Sequence, residues 1–118
     1  MMLSCHGKND VCPVEYTLKA IGGKWKLLIL YYLMTDRVKR YGELKRAING
    51  ITHKMLSQQL KELESSGLVT RKEYQQIPPK VEYALSQKGV TLLPIIGMMY
   101  NWGKENMELD LSKSDAEL

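Results

Sequence analysis

The sequence predicts an α+β fold that is mainly α, and three observations carry that reading. Between residues 12 and 66, apolar residues recur at helical spacing in four successive stretches. After Gly67 the period shortens to two, in two segments joined by a tip that holds Pro78 and Pro79. A last helical stretch is overloaded with apolar side chains, nine in the thirteen positions 90–102. With 118 residues, 44% of them hydrophobic and 25% charged, the chain has the size and composition of one globular domain with one core.

The polar opening sets residues 1–11 apart as a flexible N-terminal segment. Pro13 then suits the first position of a helix, and Glu15 stands where a capping-box acid reaches back to a cap at Cys12. Val14, Leu18 and Ile21 give this helix one apolar stripe, and Gly22-Gly23 ends it. A second helix over 24–34 is apolar nearly all round, so it must be covered on most sides. Residues 35–40 read as a charged connection. A short third helix over 41–47 is followed by a tight turn at Asn49-Gly50. Thr52 is a competent cap for a fourth helix, which runs to Ser66 and stops at Gly67.

Residues 68–74 and 80–85 read as strands, the second turning Val81, Tyr83 and Leu85 inward, with 75–79 as the hairpin tip. Ser86 caps the last long helix, in which Pro94 is expected to produce a kink. One neighbour cannot cover so apolar a helix, and such a surplus marks an interface. Val14, Leu18, Leu93, Ile96, Met99 and Tyr100 are the residues expected there.

Charge is distributed unevenly. Seventeen Lys and Arg against thirteen Asp and Glu give a net +4, yet residues 105–118 hold five acids and one Lys. That tail therefore carries −4 and leaves +8 on residues 1–104. The chain divides into a basic domain over 12–104 and an acidic C-terminal tail, a balance that suits a polyanionic partner. The run Leu27 to Met34 is eight apolar residues, far short of the roughly 20 that span a bilayer, so no membrane role is expected. Two cysteines without disulfide-dense spacing, and no signal-like segment, point to the cytoplasm.

Three helices followed by a two-stranded ribbon is the order of a winged helix-turn-helix, with the helices over 41–47 and 52–66 as the pair. A step of 100° per residue puts Leu56, Leu60 and Leu63 on one face of the fourth helix. Lys54, Ser57, Gln58, Lys61 and Ser65 fall on the other. A helix of this kind enters the major groove with its N-terminal residues on base edges while cations hold phosphates. Thr52, His53, Lys54, Ser57, Gln58 and Lys61 are thus candidate DNA contacts. Gln58 is suited to adenine, and the lysines to guanine or phosphate. Arg71, Lys72, Gln75, Gln76 and Lys80 on the ribbon are placed for flanking backbone or minor groove. The plainer reading stands beside it: a polar outer face is what any solvated helix shows, and Arg71 fits an ion pair near the strand base.

The residues also carry a resemblance. Cys12-Pro13-Val14, Gly22-Gly23-Lys24-Trp25, Tyr41-Gly42-Glu43-Leu44 and Gly50-Ile51-Thr52 with Lys54, Leu56, Leu60 and Leu63 appear in order. Gly67-Leu68-Val69 with Arg71, Pro78-Pro79-Lys80-Val81-Glu82-Tyr83 with Leu85 and Gly89, then Leu93-Pro94 and Trp102 complete the set. Over residues 12–103 the chain resembles the HxlR-type bacterial winged-helix regulators, relatives of the MarR group. It departs mildly, with Tyr41 for the more usual Phe, Thr52 for a frequent Ser and Ser86 for a frequent Thr. The resemblance implies transcription regulation by a homodimer on double-stranded DNA, at a near-palindromic operator, with the terminal helices as the dimer interface. It also implies a redox-sensing role for Cys12, since several members answer quinones, aldehydes or disulfide-forming oxidants through a cysteine there.

Thiol chemistry leaves Cys12 open. The positive end of a helix dipole favours its thiolate, and Glu15 one turn on opposes it. A small apolar residue at a dimer seam is the other reading. Cys5 reads as incidental or as a resolving partner. Catalysis is not expected, because the chain has no Gly-rich phosphate loop, no His-x-x-x-His pair and no nucleophile with a plausible base beside it. No cofactor is expected, and Cys5, His6, Cys12 and His53 match no closed zinc set. The alternatives are a metal-responsive regulator, a small-molecule-responsive one with a pocket near Met98 and Met99, and a winged-helix protein-interaction module.

Overall fold

The computed structural model describes residues 11–116, with side chains over 11–112. Helices α1 (Pro13–Ile21) and α2 (Lys24–Asp36) lead into a short strand β1 (Val38–Arg40), then α3 (Tyr41–Ala47) and α4 (His53–Ser65). Strands β2 (Val69–Tyr74) and β3 (Lys80–Leu85) form the hairpin, and α5 (Gln87–Val90) and α6 (Leu93–Ala116) follow. The sheet is antiparallel in the order β1-β3-β2, with Lys39 opposite Tyr83 and Arg71 opposite the same Tyr83 on the other side. This is a winged helix-turn-helix: mainly helical, with a small three-stranded sheet.

The core sits where α2, α3 and α4 converge on the sheet. Ile29, Leu30 and Leu33 of α2 and Leu56, Leu60 and Leu63 of α4 are all essentially inaccessible. Burying each such side chain contributes about 1.5–3 kcal/mol relative to leaving it in water. That is why the leucine face of α4 packs inward and its polar face is left outside. α4 ends in a Schellman motif. Leu68 N donates to Leu63 O, and Gly67 N to Glu64 O, both at 3.0 Å. Gly67 takes φ +79°, a conformation that costs a side-chain-bearing residue energy. Ser86 ties the next helix to this end: its N donates to Leu68 O, its hydroxyl to Gly67 O, and its Oγ accepts from Gly89 N at 3.0 Å.

Four expectations change here. Residues 35–40 are not a plain connection: α2 runs on to Asp36, and Val38–Arg40 pairs with β3. The capping box expected of Glu15 is not seen at α1; it is Glu43 that reaches back, its Oε1 accepting from Arg40 N at 2.8 Å. Ser86 caps the four-residue α5 rather than the long helix. Pro94 does not kink α6, because the helix begins at Leu93 and Pro94 lies in its first turn, where no N–H partner is missed. The break falls instead at Thr91-Leu92. α6 also passes through residues 104 and 105 without interruption, so the acidic segment is helical as far as Ala116.

Candidate nucleic-acid interface

The geometry of α4 is set at both ends. Gly50, at φ +86°, turns the chain out of α3, and Thr52 Oγ1 accepts from Met55 N at 3.1 Å as the N-cap. With the leucines buried, His53, Lys54, Gln58 and Lys61 are exposed and Ser57 is half-buried, all on the outward side. Thr52 keeps a hydroxyl proton to donate, because its cap bond uses only a lone pair.

Tyr41 of α3 reaches across to this helix, a contact the sequence reading did not identify. Its hydroxyl lies 3.1 Å from each of His53 Nδ1, the His53 carbonyl oxygen and Ser57 Oγ. Its ring lies nearly parallel to the imidazole, 10° apart with centroids at 5.8 Å. The available signal was the hydroxyl itself, at a position where the resembled family more often has Phe.

Arg71 points toward α4. It shares a cleft of about 340 Å³ with Ser57, Lys61, Glu64 and Tyr83. Its guanidinium is 3.5 Å from Glu73, the ion pair anticipated near the strand base. Hydrogen bonding to the Tyr83 hydroxyl, and secondarily the charges of Tyr83 and Glu73, raise the Arg71 pKa above its ordinary value. Ser57, Lys61 and Arg71 are therefore brought together, while the ribbon tip forms a separate patch.

At the tip, Gln75 and Gln76 are exposed beside Ile77, which is 101% exposed and precedes a cis peptide bond to Pro78. Lys72 stands over the Tyr74 ring at 4.8 Å with its side chain outward. Lys80 is placed differently from expectation. It lies over the other approach to Tyr74 at 4.8 Å and pairs with Glu82 at 2.9 Å, so its charge is already balanced within the protomer. The same pairing, led by the hydrogen bond from Lys80, lowers the Glu82 pKa. On the opposite flank of α4, Lys19 and Lys26 line a groove with Lys61, and Lys26 is 3.5 Å from Glu62. These two lysines were not singled out from the sequence.

The residues expected at a dimer interface divide. Val14 and Leu18 are 65% and 59% exposed, and Met99 and Tyr100 are about half exposed. Leu93 is half-buried. Ile96, at 4% exposure, belongs to the protomer's own core, and what it leaves uncovered lies in the groove between α2 and α6. Leu27, Leu28, Tyr31, Ile96, Met99 and Tyr100 line this apolar groove of about 350 Å³. Cys12 is buried at the N-cap of α1. Cys5 and His6 lie outside the described residues, as does most of the segment 1–11. Among the described residues no group of three or more His, Cys, Asp or Glu could hold a metal ion, and no helix is long and apolar enough to cross a membrane.

Comparison with known proteins supplies the rest. Residues 20–111 match the model of the HxlR-like helix-turn-helix family. A Fusobacterium mortiferum protein named as a regulatory protein, MalR, is 55% identical over 106 residues, 89% of this chain and all of that one. An uncharacterized HTH-type transcriptional regulator of Bacillus subtilis, YdzF, is 56% identical over 100 residues, 80% of this chain and 92% of its own length. Among solved structures, the redox regulator HypR in its reduced form is 48% identical, covering 85% of this chain and 98% of that one, with a TM-score of 0.78. Its oxidized form gives 50% identity, 80% and 96% coverage, and a TM-score of 0.76. A helix-turn-helix with an outward polar face, matched by the family model over residues 20–111, places this chain in the HxlR-like helix-turn-helix family of transcriptional regulators.

Proposed function

We propose that the protein is a cytoplasmic, sequence-specific DNA-binding regulator that acts as a homodimer on a near-palindromic operator, most simply as a repressor. The observation that carries this reading is the split of α4: its leucine face is sealed in the core, while Lys54, Gln58 and Lys61 stand outside with Ser57 between them. Cations beside bidentate hydrogen-bonding groups suit a major groove, where charge holds phosphate and amide reads a base edge. Arg71, Lys72, Gln75 and Gln76 extend the same footprint along the ribbon. Lys80 contributes less, because Glu82 already occupies it.

The uncovered apolar stripes of α1 and α6 support dimerisation, with Val14, Leu18, Leu93, Met99 and Tyr100 at the seam. Two copies present two α4 helices, and an operator then carries two inverted half-sites about one helical turn, roughly 34–36 Å, apart. A dimer seated on a promoter excludes other proteins from that DNA, which is the physical basis for repression. The acidic stretch from Glu105 to Ala116 continues α6.

The finer reading is that Cys12 makes the response to oxidants or electrophiles. Cys12 stands at the N-cap of α1, and the similar HypR is described as a redox regulator. Cys12 is buried in the protomer, so a reagent meets little of its surface.

The experiment is selection of bound fragments from the genomic DNA of the source organism, with the full chain under reducing conditions. Recovery of segments sharing an inverted repeat is the expected result. A recovered pool no different from the input contradicts the reading.

A further inference from the structure

We infer that Tyr41 sets the hydrogen-bond polarity of His53 and thereby selects the base that His53 Nε2 reads. The inference rests on the DNA-binding reading of α4.

A phenol hydroxyl has one proton to give and two lone pairs to fill. Tyr41 has three partners, each at 3.1 Å: the His53 carbonyl oxygen, His53 Nδ1 and Ser57 Oγ. A carbonyl oxygen can only accept, so the phenol proton goes there. The two lone pairs that remain require donors, which makes His53 carry a proton on Nδ1 and makes Ser57 turn its hydroxyl proton toward Tyr41. All three valences are then satisfied.

The consequence faces outward. With its proton committed, Ser57 offers only lone pairs to a partner, and neutral His53 offers only the lone pair of Nε2. Left alone, a helical serine gives its proton to the carbonyl four residues back, which for Ser57 is that of His53. Ser57 therefore shows lone pairs outward with or without Tyr41, and the group whose outward polarity Tyr41 decides is His53, whose Nε2 accepts when Nδ1 carries the proton. In the major groove, acceptors suit the amino groups of adenine N6 and cytosine N4, whereas guanine and thymine present O6 and O4 at the corresponding edge. The base opposite His53 Nε2 is thus selected for an amino group, through a residue on the preceding helix.

The near-parallel packing of the Tyr41 and His53 rings holds the phenol in place without the hydroxyl. Tyr41→Phe therefore removes the polarity and keeps the packing, which separates the inference from a purely structural role.

Two readouts test it. In the free full-length protein, at a pH where imidazole is neutral, nitrogen NMR of His53 should show the proton on Nδ1. In Tyr41→Phe it should move to Nε2, the form that an unconstrained side chain prefers in water. Selection from a randomised duplex pool should then show discrimination at one base position per half-site falling by about fivefold in Tyr41→Phe, the worth of a single hydrogen bond. His53→Ala should broaden that same position.

A proton on Nε2 in the parent protein overturns the inference. So does unchanged base preference in Tyr41→Phe, or broadening at different positions in the two variants, while the parent remains selective. A parent that selects no duplex at all overturns the DNA reading itself and the base selection with it. The NMR result identifies whether the hydrogen-bond arrangement was also wrong.

Discussion

Tyr31 of α2 and Tyr100 of α6 stack with ring centroids 6.0 Å apart and planes within 9° of parallel. The stack fixes α6 against α2, and beside it Met99 and half of Tyr100 remain in solvent along the groove that Leu27 and Leu28 also line. An apolar groove fixed in this way by the protomer's own packing suits a second copy.

Met99→Glu tests that use of the groove. A carboxylate buried at the seam loses its hydration without gaining a partner, a cost on the order of 3 kcal/mol. Sedimentation equilibrium should show the dimer dissociation constant rising by at least about 100-fold, with helical content unchanged. An unaltered dimer would place the seam elsewhere.

Lys54→Ala and Lys61→Ala should weaken binding to all duplexes alike and each lower the salt slope by about one. Gln58→Ala should also flatten preference at one base, costing about 1–3 kcal/mol of discrimination. Anisotropy titrations over a salt series separate these outcomes. Equal behaviour of all three variants and the parent would show that α4 does not face the DNA.

Much of this arrangement was legible because local chemistry and packing agree. The leucine spacing, the Thr52 cap and Gly67 bound α4 to within a residue of the observed helix, and the alternation around Tyr83 located β3. The third strand was not legible: Val38–Arg40 is three residues long with two charges, and its pairing to β3 exists only once the chain has folded. Pro94 was misread because a proline in a helix interior and one in a first turn look the same until the break before it is known. Ile96 and its apolar neighbours are alike in sequence; only α2 decides that Ile96 points inward. The Tyr41 hydroxyl, likewise, acquires meaning only through residues twelve and sixteen positions away.

Two backbone devices should account for measurable stability of α4. Thr52→Ala removes the cap bond and should cost about 1 kcal/mol, largely restored by Ser. Gly67→Ala forces a side chain into φ +79° and should cost about 1–2 kcal/mol. Urea unfolding should show lower midpoints with unchanged m-values for both.

The Lys80–Glu82 pair gives a pH dependence of definite sign. The folded state lowers the Glu82 pKa, chiefly through the hydrogen bond from Lys80. Its stabilisation is therefore present above the ordinary carboxylate value and is lost as pH falls through the lowered one, from about pH 5 downward. Glu82→Gln should flatten the acid side of a stability–pH curve by lowering stability at neutral pH, with variant and parent converging in acid. A steeper acid loss in the variant would contradict this assignment.

Cys12→Ser should bind DNA as the parent does while reduced, and should keep binding after a thiol oxidant that releases the parent. Because Cys12 is buried, an alkylating probe should modify it more slowly than an unfolded control. Release that persists in Cys12→Ser assigns the signal to another group.

The central claim is that the outward face of α4 holds duplex DNA, and the most direct measurement is anisotropy of the reduced full-length protein on a selected duplex and a scrambled one across a salt series. The account predicts tight binding to the selected duplex, with log affinity falling linearly in log salt at about −0.9 for each phosphate neutralised. Lys54→Ala and Lys61→Ala together should make the slope shallower by about two. Binding that ignores salt, or a slope unmoved by losing both lysines, would contradict it.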